Sequence, residues 1–451
     1  MGSEYKNMLN SYDKATKKVR STVNAIVDEA SFVELDAFMG GSDELGEIRG
    51  EGVMCGLASI GGVDVAVFAD NPDVFDGGIS LRGAEKIRRL IDRAVESGLP
   101  LVSLIDTAGA RVLEGVGALY GYGLILDGYA EAYGSVPVIT VVKGRNYGML
   151  SYLSGLSDLF IAYDKAQIAT ASPLLLSAAG GDCSSAKTHY EKSGAVTNIV
   201  GGDGELRELL IKVLGDLSSP VQDTADDPNR VCKKLTASSS VRDVLAEAFD
   251  AGSVVEIRGG IADNVVTAFA RLCGVTTAVI GVDGKLTAKG ASKITDFLNT
   301  ASSFGIPVVN LVSSTGIVVD SHQEQCCLMR NISDMIYAYG NVQVPKIALV
   351  CGEAVGAAYS IFASKSSYDY TMAWDCASVT PLESAAAARM LYGDDIAKAK
   401  DQEKAEAKFA EVYAEDNSAI KAAEKGHFDT VLLPAHTRQY LIAALRVAAK
   451  G

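Results

Sequence analysis

Residues 101–105, LVSLI, form an apolar run of the length of a buried parallel strand, and the run stops abruptly at Asp106-Thr107-Ala108-Gly109. Glu114, with Val116, Leu119 and Leu124 spaced behind it, marks the start of a helix. A strand that ends in a small-residue turn and then feeds a helix is where open α/β sheets bind ligands. Around this unit the pattern predicts further elements. Residues 5–37 read as a polar helix followed by loop. Residues 52–70 alternate about Gly61-Gly62 and predict a two-stranded hairpin. A glycine turn, Asp76-Gly77-Gly78-Ile79-Ser80, precedes an amphipathic helix with Ile87, Leu90, Ile91 and Ala94 on one face and Gly98 at its end. A second strand spans 137–142. Residues 143–148 form a glycine-bounded turn into a small-residue helix, and 159–171 read as a further buried strand.

The chain then does this again. Pro100 and Pro307 lie 207 residues apart and open LVSLIDTAG and VVNLVSSTG; Lys86-Ile87 and Lys293-Ile294 are separated by the same 207. Pro137 and Pro345, like Gly148 and Gly356, are 208 apart. A period of this length is a duplicated domain and not a solenoid repeat. The expected organisation is a first domain over 1–217, a polar, proline-containing linker over 218–240, and a second domain over 241–451. Residues 394–425 alternate in charge and read as solvated helix.

Composition narrows the function. Of 451 residues, 48% are hydrophobic, so the chain has ample material for full cores, and its net charge of −15 argues against a nucleic-acid binder. No apolar run reaches transmembrane length, and the charged N-terminus lacks the core of a signal peptide. The eight cysteines include no C-x-x-C pair, so a zinc ribbon is not expected and no metal is assigned; a reducing, cytoplasmic setting fits them. Nucleotide-binding loops and the G-x-S-x-G elbow are absent. The turns Gly144–Met149 and Gly352–Ala357 each follow a strand and open a helix, so their backbone N–H groups suit an anion or a developing oxyanion. They bring no paired carboxylates and no Ser-His pair, and the four histidines are scattered.

These residues resemble the carboxyltransferase subunits of biotin-dependent acyl-CoA carboxylases and decarboxylases, of the propionyl-CoA carboxylase β and methylmalonyl-CoA decarboxylase α type. The similarity runs from about residue 52 to the end. It rests on GGISLRGAEKI, on DTAGARVLEGVGALYGYG, on SAKTHYEKSGAVTNIVGGD, on VPKIALVCGEAVGAAYSIFASK and on GHFDTVLLPAHTRQYLIAAL. The resemblance implies an α/β fold of two tandem crotonase-like domains. It implies transfer of a carboxyl group between carboxybiotin and the α-carbon of a short acyl-CoA, in either direction, with no side-chain base. By position, Gly148 and Met149 would bind one oxyanion, and Gly356 and Ala357 the other. Acyl-CoA would lie on the first domain, near Gly78, Arg82, Lys86, Ala108, Gly109, Arg111, Lys143 and Arg145, and biotin on the second.

The implied partners are a biotin carboxyl carrier protein on a separate chain, with a biotin carboxylase or a membrane decarboxylase subunit, and further copies of this chain, from dimer to hexamer. The sequence departs from the family at Met149, where a second glycine is usual. It departs again at 313–317, SSTGI, which lacks the usual prolines, and at 327–331, CLMRN. A scaffold paralogue that keeps the fold without the chemistry is the alternative reading.

Overall fold

The computed structural model describes residues 2–43, 46–178 and 183–448. The chain divides into two units, Met1–Ser219 and Pro220–Gly451. The strands of the first are β1 (Val33–Leu35), β2 (Gly41–Asp43), β3 (Gly46–Ile48), β4 (Val53–Ile60), β5 (Val63–Asp70), β6 (Leu101–Thr107), β7 (Val138–Tyr147), β8 (Leu159–Tyr163), β9 (Gln167–Ala169) and β10 (Asn198–Val200). Those of the second are β11 (Val255–Glu256), β12 (Val265–Leu272), β13 (Val275–Leu286), β14 (Val308–Ile317), β15 (Lys346–Val355), β16 (Tyr370–Trp374), β17 (Ser378–Thr380) and β18 (Thr430–Leu432).

The two main sheets have the same plan. In the first the order is β1-β4-β5-β6-β7-β8-β10, with β9 beside β7; in the second it is β11-β12-β13-β14-β15-β16-β18, with β17 beside β15. In both, the opening hairpin is antiparallel and every later pairing is parallel. Parallel strands are buried on both faces, which is why β6 and β14 read as apolar runs. The hairpin turns at Gly61 (φ 59°) and Gly62 (φ 81°), and in the second unit at Cys273 (φ 53°) and Gly274 (φ 81°).

The amphipathic helix Leu81–Ser97 starts where the Ser80 hydroxyl accepts from the Gly83 N–H and stops at left-handed Gly98. Its counterpart Ala288–Ser303 is capped in the same way by Thr287, which accepts from the Gly290 N–H. The helix packs Ile87 and Ile91 into a core with Phe68, Leu101, Ile125 and Phe160, and each such side chain contributes about 1.5–3 kcal/mol of burial.

Four local expectations change. Residues 143–147, read as part of a turn, continue the strand β7. Residues 33–35, read as loop, form an edge strand paired antiparallel to β4. The small-residue segment after Gly148 is a 3-10 helix, Met149–Gly155, and not an α-helix. The stretch 159–171 is two strands, because the chain turns after Tyr163 and β9 pairs with β7. Residues 220–240 contain no helix or strand but are fastened to the second unit. The Thr276 N–H donates to the Pro220 carbonyl (2.8 Å), the Cys232 N–H to the Ala435 carbonyl (2.8 Å), and Arg438 Nε to the Asp227 carbonyl (3.0 Å).

Each unit also holds its hairpin with the same clamp. The Asp28 carboxylate accepts from the Gly61 (3.0 Å) and Gly62 (2.9 Å) N–H groups and from Arg207 (2.5 Å). Asp250 accepts from the Cys273 (3.1 Å) and Gly274 (2.7 Å) N–H groups and from Arg438 (2.6 Å). Three residues on, Ser31 and Ser253 each donate to the aspartate carbonyl at 2.7 Å and accept from the hairpin strand, at the Ser59 (3.2 Å) and Arg271 (3.0 Å) N–H groups. The two clamps differ in burial. The Arg207 and Asp28 side chains are 34% and 28% exposed, while those of Arg438 and Asp250 are 0% and 5% exposed. Removing one partner of a buried pair strands the other charge, whereas an exposed pair is screened. Arg438→Met should therefore destabilise the protein by about 3–5 kcal/mol and Arg207→Met by about 1 kcal/mol or less. Denaturant unfolding of both variants checks this, and equal losses would contradict it.

Candidate active site

The site in each unit grows from one irregularity in the sheet. Along β6 and β7, Ile105 is opposite Val142 but Thr107 is opposite Asn146, so β7 carries two extra residues between the pairings. Along β14 and β15 the same shift separates Val312↔Val350 from Ser314↔Ala354. The bulge lets the strand leave its neighbour and pair onward, β7 with β9 and β15 with β17. Glycine leaves room inside it for a neighbouring side chain. A Cβ at Gly144 would stand 2.5 Å from the Asp106 carboxylate, and one at Gly352 would stand 2.5 Å from Ser313 Oγ.

The loop after the preceding strand is braced by a hydroxyl. Thr107 Oγ1 accepts from the Gly109 N–H (3.0 Å) and donates to the Gly109 carbonyl (3.2 Å). Ser314 Oγ likewise accepts from the Gly316 N–H (3.3 Å), but its own proton goes to the Gly284 carbonyl (2.7 Å). Gly109 (φ 117°) and Gly316 (φ 104°) then approach the Tyr147 and Val355 carbonyls, each leaving 3.4 Å to a would-be Cβ. The sequence reading singled out Gly109 and missed the hydroxyl two residues earlier, although D-T-A-G and S-S-T-G both display it.

Each extended strand ends at a glycine with positive φ, Gly148 at 83° and Gly356 at 55°, and a helix begins at the next residue. Here the expected donors are corrected. The N–H of Gly148 donates to the Ala169 carbonyl (2.9 Å) and that of Gly356 to the Thr380 carbonyl (2.8 Å), because the bulge commits both to the side strands. Among the described residues no backbone acceptor is recorded for the N–H of Met149 or Ala357, the first residue of each helix, and these remain as donors. The Met149 side chain packs partly against the first unit's core. Beside Gly356 a cavity of about 430 Å³ opens between Tyr359, Thr380, Pro381, Asn417 and His427. A Cβ at Gly356 would lie 3.1 Å from the Pro381 carbonyl that lines it.

The cations expected around the first turn separate into two groups. Lys86 is fully buried and donates to the Val53 carbonyl (2.6 Å), just as buried Lys293 donates to the Val265 (2.5 Å) and Ile261 (3.0 Å) carbonyls. Arg111, 6% exposed, pairs with buried Glu51 and with Glu114, each at 3.2 Å, and lies over the Phe75 ring. These two are structural, because their charges are spent on internal acceptors. Gly78 and Ala108 serve the same framework. The Gly78 N–H donates to Phe75 (2.8 Å), its carbonyl faces Arg111, and the Ala108 N–H donates to the Asp76 carbonyl (3.0 Å).

Lys143 pairs with Asp203 (2.6 Å). Arg82 is exposed and donates to the Gly40 carbonyl (2.7 Å). Arg145 is one-third exposed and bridges Asp106 and Asp76, each at 3.3 Å. At the matching place, 208 residues on, the second unit has exposed Glu353. Among the described residues no group of three metal-ligating side chains comes together, and no helix is long and apolar enough to cross a membrane.

Two parallel-rich sheets of one plan, each ending its central strand at a positive-φ glycine that opens a helix, define a duplicated α/β protein with one glycine turn in each unit. The chain belongs to the carboxyl transferase domain family, whose profile matches residues 10–451. It is 30% identical to methylmalonyl-CoA decarboxylase subunit alpha of Veillonella parvula, over 95% of this chain and 89% of the relative. It is also 30% identical to the biotin-dependent acetyl-/propionyl-coenzyme A carboxylase beta5 subunit of Mycobacterium tuberculosis, over 96% and 87%. Among solved structures it is similar to the transcarboxylase 12S hexamer core with methylmalonyl-coenzyme A bound, with a TM-score of 0.89 at 27% identity over 96% of this chain and 89% of that one. The fold is therefore the duplicated crotonase-like fold.

Behind the first turn lies a carboxyl group that sequence reasoning passed over. Asp70, 4% exposed, accepts from the Asp106 N–H (3.3 Å), and its other oxygen has no partner among the described residues. Burial pushes its pKa up to about 8, and the nearby Asp106 charge adds to this. The folded state then holds a proton that the unfolded state releases near pH 4, so stability falls as pH rises from about 4 to about 8 and levels off above. Relative to Asp70→Asn, the wild type should lose up to about 1.4 kcal/mol per pH unit across that window. Urea unfolding of both proteins from pH 4 to 9 measures it, and a pH-independent difference would show that Asp70 titrates normally.

Proposed function

We propose that the chain is the carboxyltransferase subunit of a biotin-dependent acyl-CoA carboxylase, or of the corresponding decarboxylase. It would move a carboxyl group between carboxybiotin and the α-carbon of a short acyl-CoA of the propionyl or methylmalonyl type. The observation that carries this reading is the pair of turns at Gly148 and Gly356, which leave the Met149 and Ala357 N–H groups free while a missing Cβ keeps the approach open. Such donors act on charge that develops in the transition state, and no side-chain base has to stand beside them.

The first unit would take the acyl-CoA. Its turn carries Arg145, with Arg82 on the helix Leu81–Ser97, and these cations would offset part of the phosphate charge of coenzyme A on a chain of net charge −15. Met149 would hold the thioester oxygen as it gains charge. The second unit would take biotin in the cavity beside Gly356, whose lining of Tyr359, Thr380, Pro381 and Asn417 combines an aromatic face with polar atoms. Ala357 would hold the ureido oxygen there. Biotin, on a separate carrier protein served by a biotin carboxylase or a membrane decarboxylase subunit, supplies the carboxyl group. A homo-oligomer completes the proposal. Val112, Leu113 and Val116 are 79–83% exposed in the first unit, and an isolated chain would leave them in water.

Transfer from a carboxylated carrier to propionyl-CoA, or the reverse from methylmalonyl-CoA, tests the reading. Gly356→Val should cut the rate by about 10²–10³-fold, the scale of a lost oxyanion donor, while oligomeric state by sedimentation stays unchanged. Arg82→Ala with Arg145→Ala should weaken acyl-CoA binding by calorimetry and leave carrier binding unaffected. If the wild type transfers nothing with its full partner set present, the scaffold reading replaces this one.

A further inference from the structure

A second reactive cluster lies outside both turns. Cys326 and Cys327 are adjacent and exposed, in the short passage between the Ser321–Gln325 helix and the Leu328–Asn341 helix. His322 sits one turn before them, with Nε2 3.6 Å and Nδ1 3.8 Å from Cys326 Sγ. Cys327 has φ 64° and ψ 29°, a left-handed conformation that side chains avoid, and at the head of the matching helix the first unit has Gly115 with φ 55°. The other thiols offer no such arrangement. Cys55 and Cys351 are buried and pushed up to about 12, Cys232 is buried, Cys273 accepts from Arg446 (3.5 Å), and Cys183 and Cys376 stand apart in sequence.

We propose that Cys326 and Cys327, assisted by His322, form a vicinal dithiol that hydrogen peroxide closes reversibly to a disulfide and that trivalent arsenicals bridge. The Cys326 thiol passes its proton to the His322 imidazole, and the thiolate electron pair attacks one peroxide oxygen. The O–O bond breaks, and the departing hydroxide takes the imidazolium proton to become water. Cys326 is then a sulfenic acid. The Cys327 sulfur attacks it, an S–S bond forms, and hydroxide leaves with the Cys327 proton as a second water. In sum, two thiols are oxidised and one peroxide is reduced.

The ring spans a single peptide unit and constrains the head of the Leu328–Asn341 helix. Its effect reaches Ala288, whose N–H donates to Gln323 Oε1 and whose carbonyl accepts from Asn331 Nδ2, both at 3.0 Å on either side of the pair. Because the sensor works by thiol chemistry, it stands or falls independently of carboxyl transfer.

The test treats the full-length protein with hydrogen peroxide at low molar excess and maps the cysteine peptides by mass. The peptide carrying both cysteines should lose two hydrogens, recover them with dithiothreitol, and be blocked by phenylarsine oxide, which bridges two thiols with release of water. Cys326→Ser and Cys327→Ser should each abolish ring closure and arsenical retention, whereas Cys183→Ser and Cys376→Ser should not. His322→Gln should slow the first oxidation by roughly tenfold or more. Amide exchange at Ala288 should change on oxidation of the wild type and remain unchanged in Cys327→Ser. The proposal is overturned if Cys183 or Cys376 oxidises first while the pair stays reduced, if the pair goes to separate sulfinic acids, or if His322→Gln reacts at the wild-type rate.

Discussion

The two-residue bulge in each central strand is the constraint on which the rest depends. Parallel pairing alone would carry β7 alongside β6 to its end. The bulge at Gly144 releases it, and the chain then pairs with β9 and presents Gly148 and Met149 beyond the sheet. The same displacement at Gly352 releases β15 to β17 and presents Gly356 and Ala357. It decides which N–H groups are consumed and which are free. Side strands saturate the glycine amides, and the donors move one residue along, into the first turn of the helix. A side chain at Gly144 or Gly352 would displace the Asp106 carboxylate or the Ser313 hydroxyl.

Duplication has kept the framework and let the surface of the site diverge. The Asp-x-x-Ser clamps on the hairpins, the buried lysines on the first strand carbonyls and the hydroxyl-braced loops before each turn recur in both units, residue for residue. The groups that would meet a ligand do not recur. Asp106 and Arg145 in the first turn correspond to Ser313 and Glu353 in the second. The first turn thus holds a cation between two carboxylates, while the second has an acid in the cation's place.

Charge alone misled where burial decided the outcome. Lys86 and Arg111 are basic residues beside the first turn, as Arg82 and Arg145 are, and sequence offers nothing to tell them apart. The repeat of Lys86 at Lys293 carried a hint, because a group preserved in both units serves what the units share. What they share is the framework, in which a buried ammonium must find acceptors and finds them on strand carbonyls. Asp70 was silent for the opposite reason. Its titration is a property of the enclosure behind Asp106.

The sequence by itself determined the duplication, the parallel strands, the hairpin about Gly61-Gly62, the capped amphipathic helices and the two glycine turns. Each is written as sequence pattern: an internal repeat, periodicity, capping residues, or glycines at tight turns. The tertiary structure alone decided that Gly148 and Gly356 spend their amides inside the fold, that Lys86 is buried on a strand carbonyl, and that β9 joins β7. Hydrogen-bond partners, burial and bulges arise between segments distant along the chain. Local pattern fixes what each segment can form, and only the assembled sheets fix which of its polar groups remain unpaired.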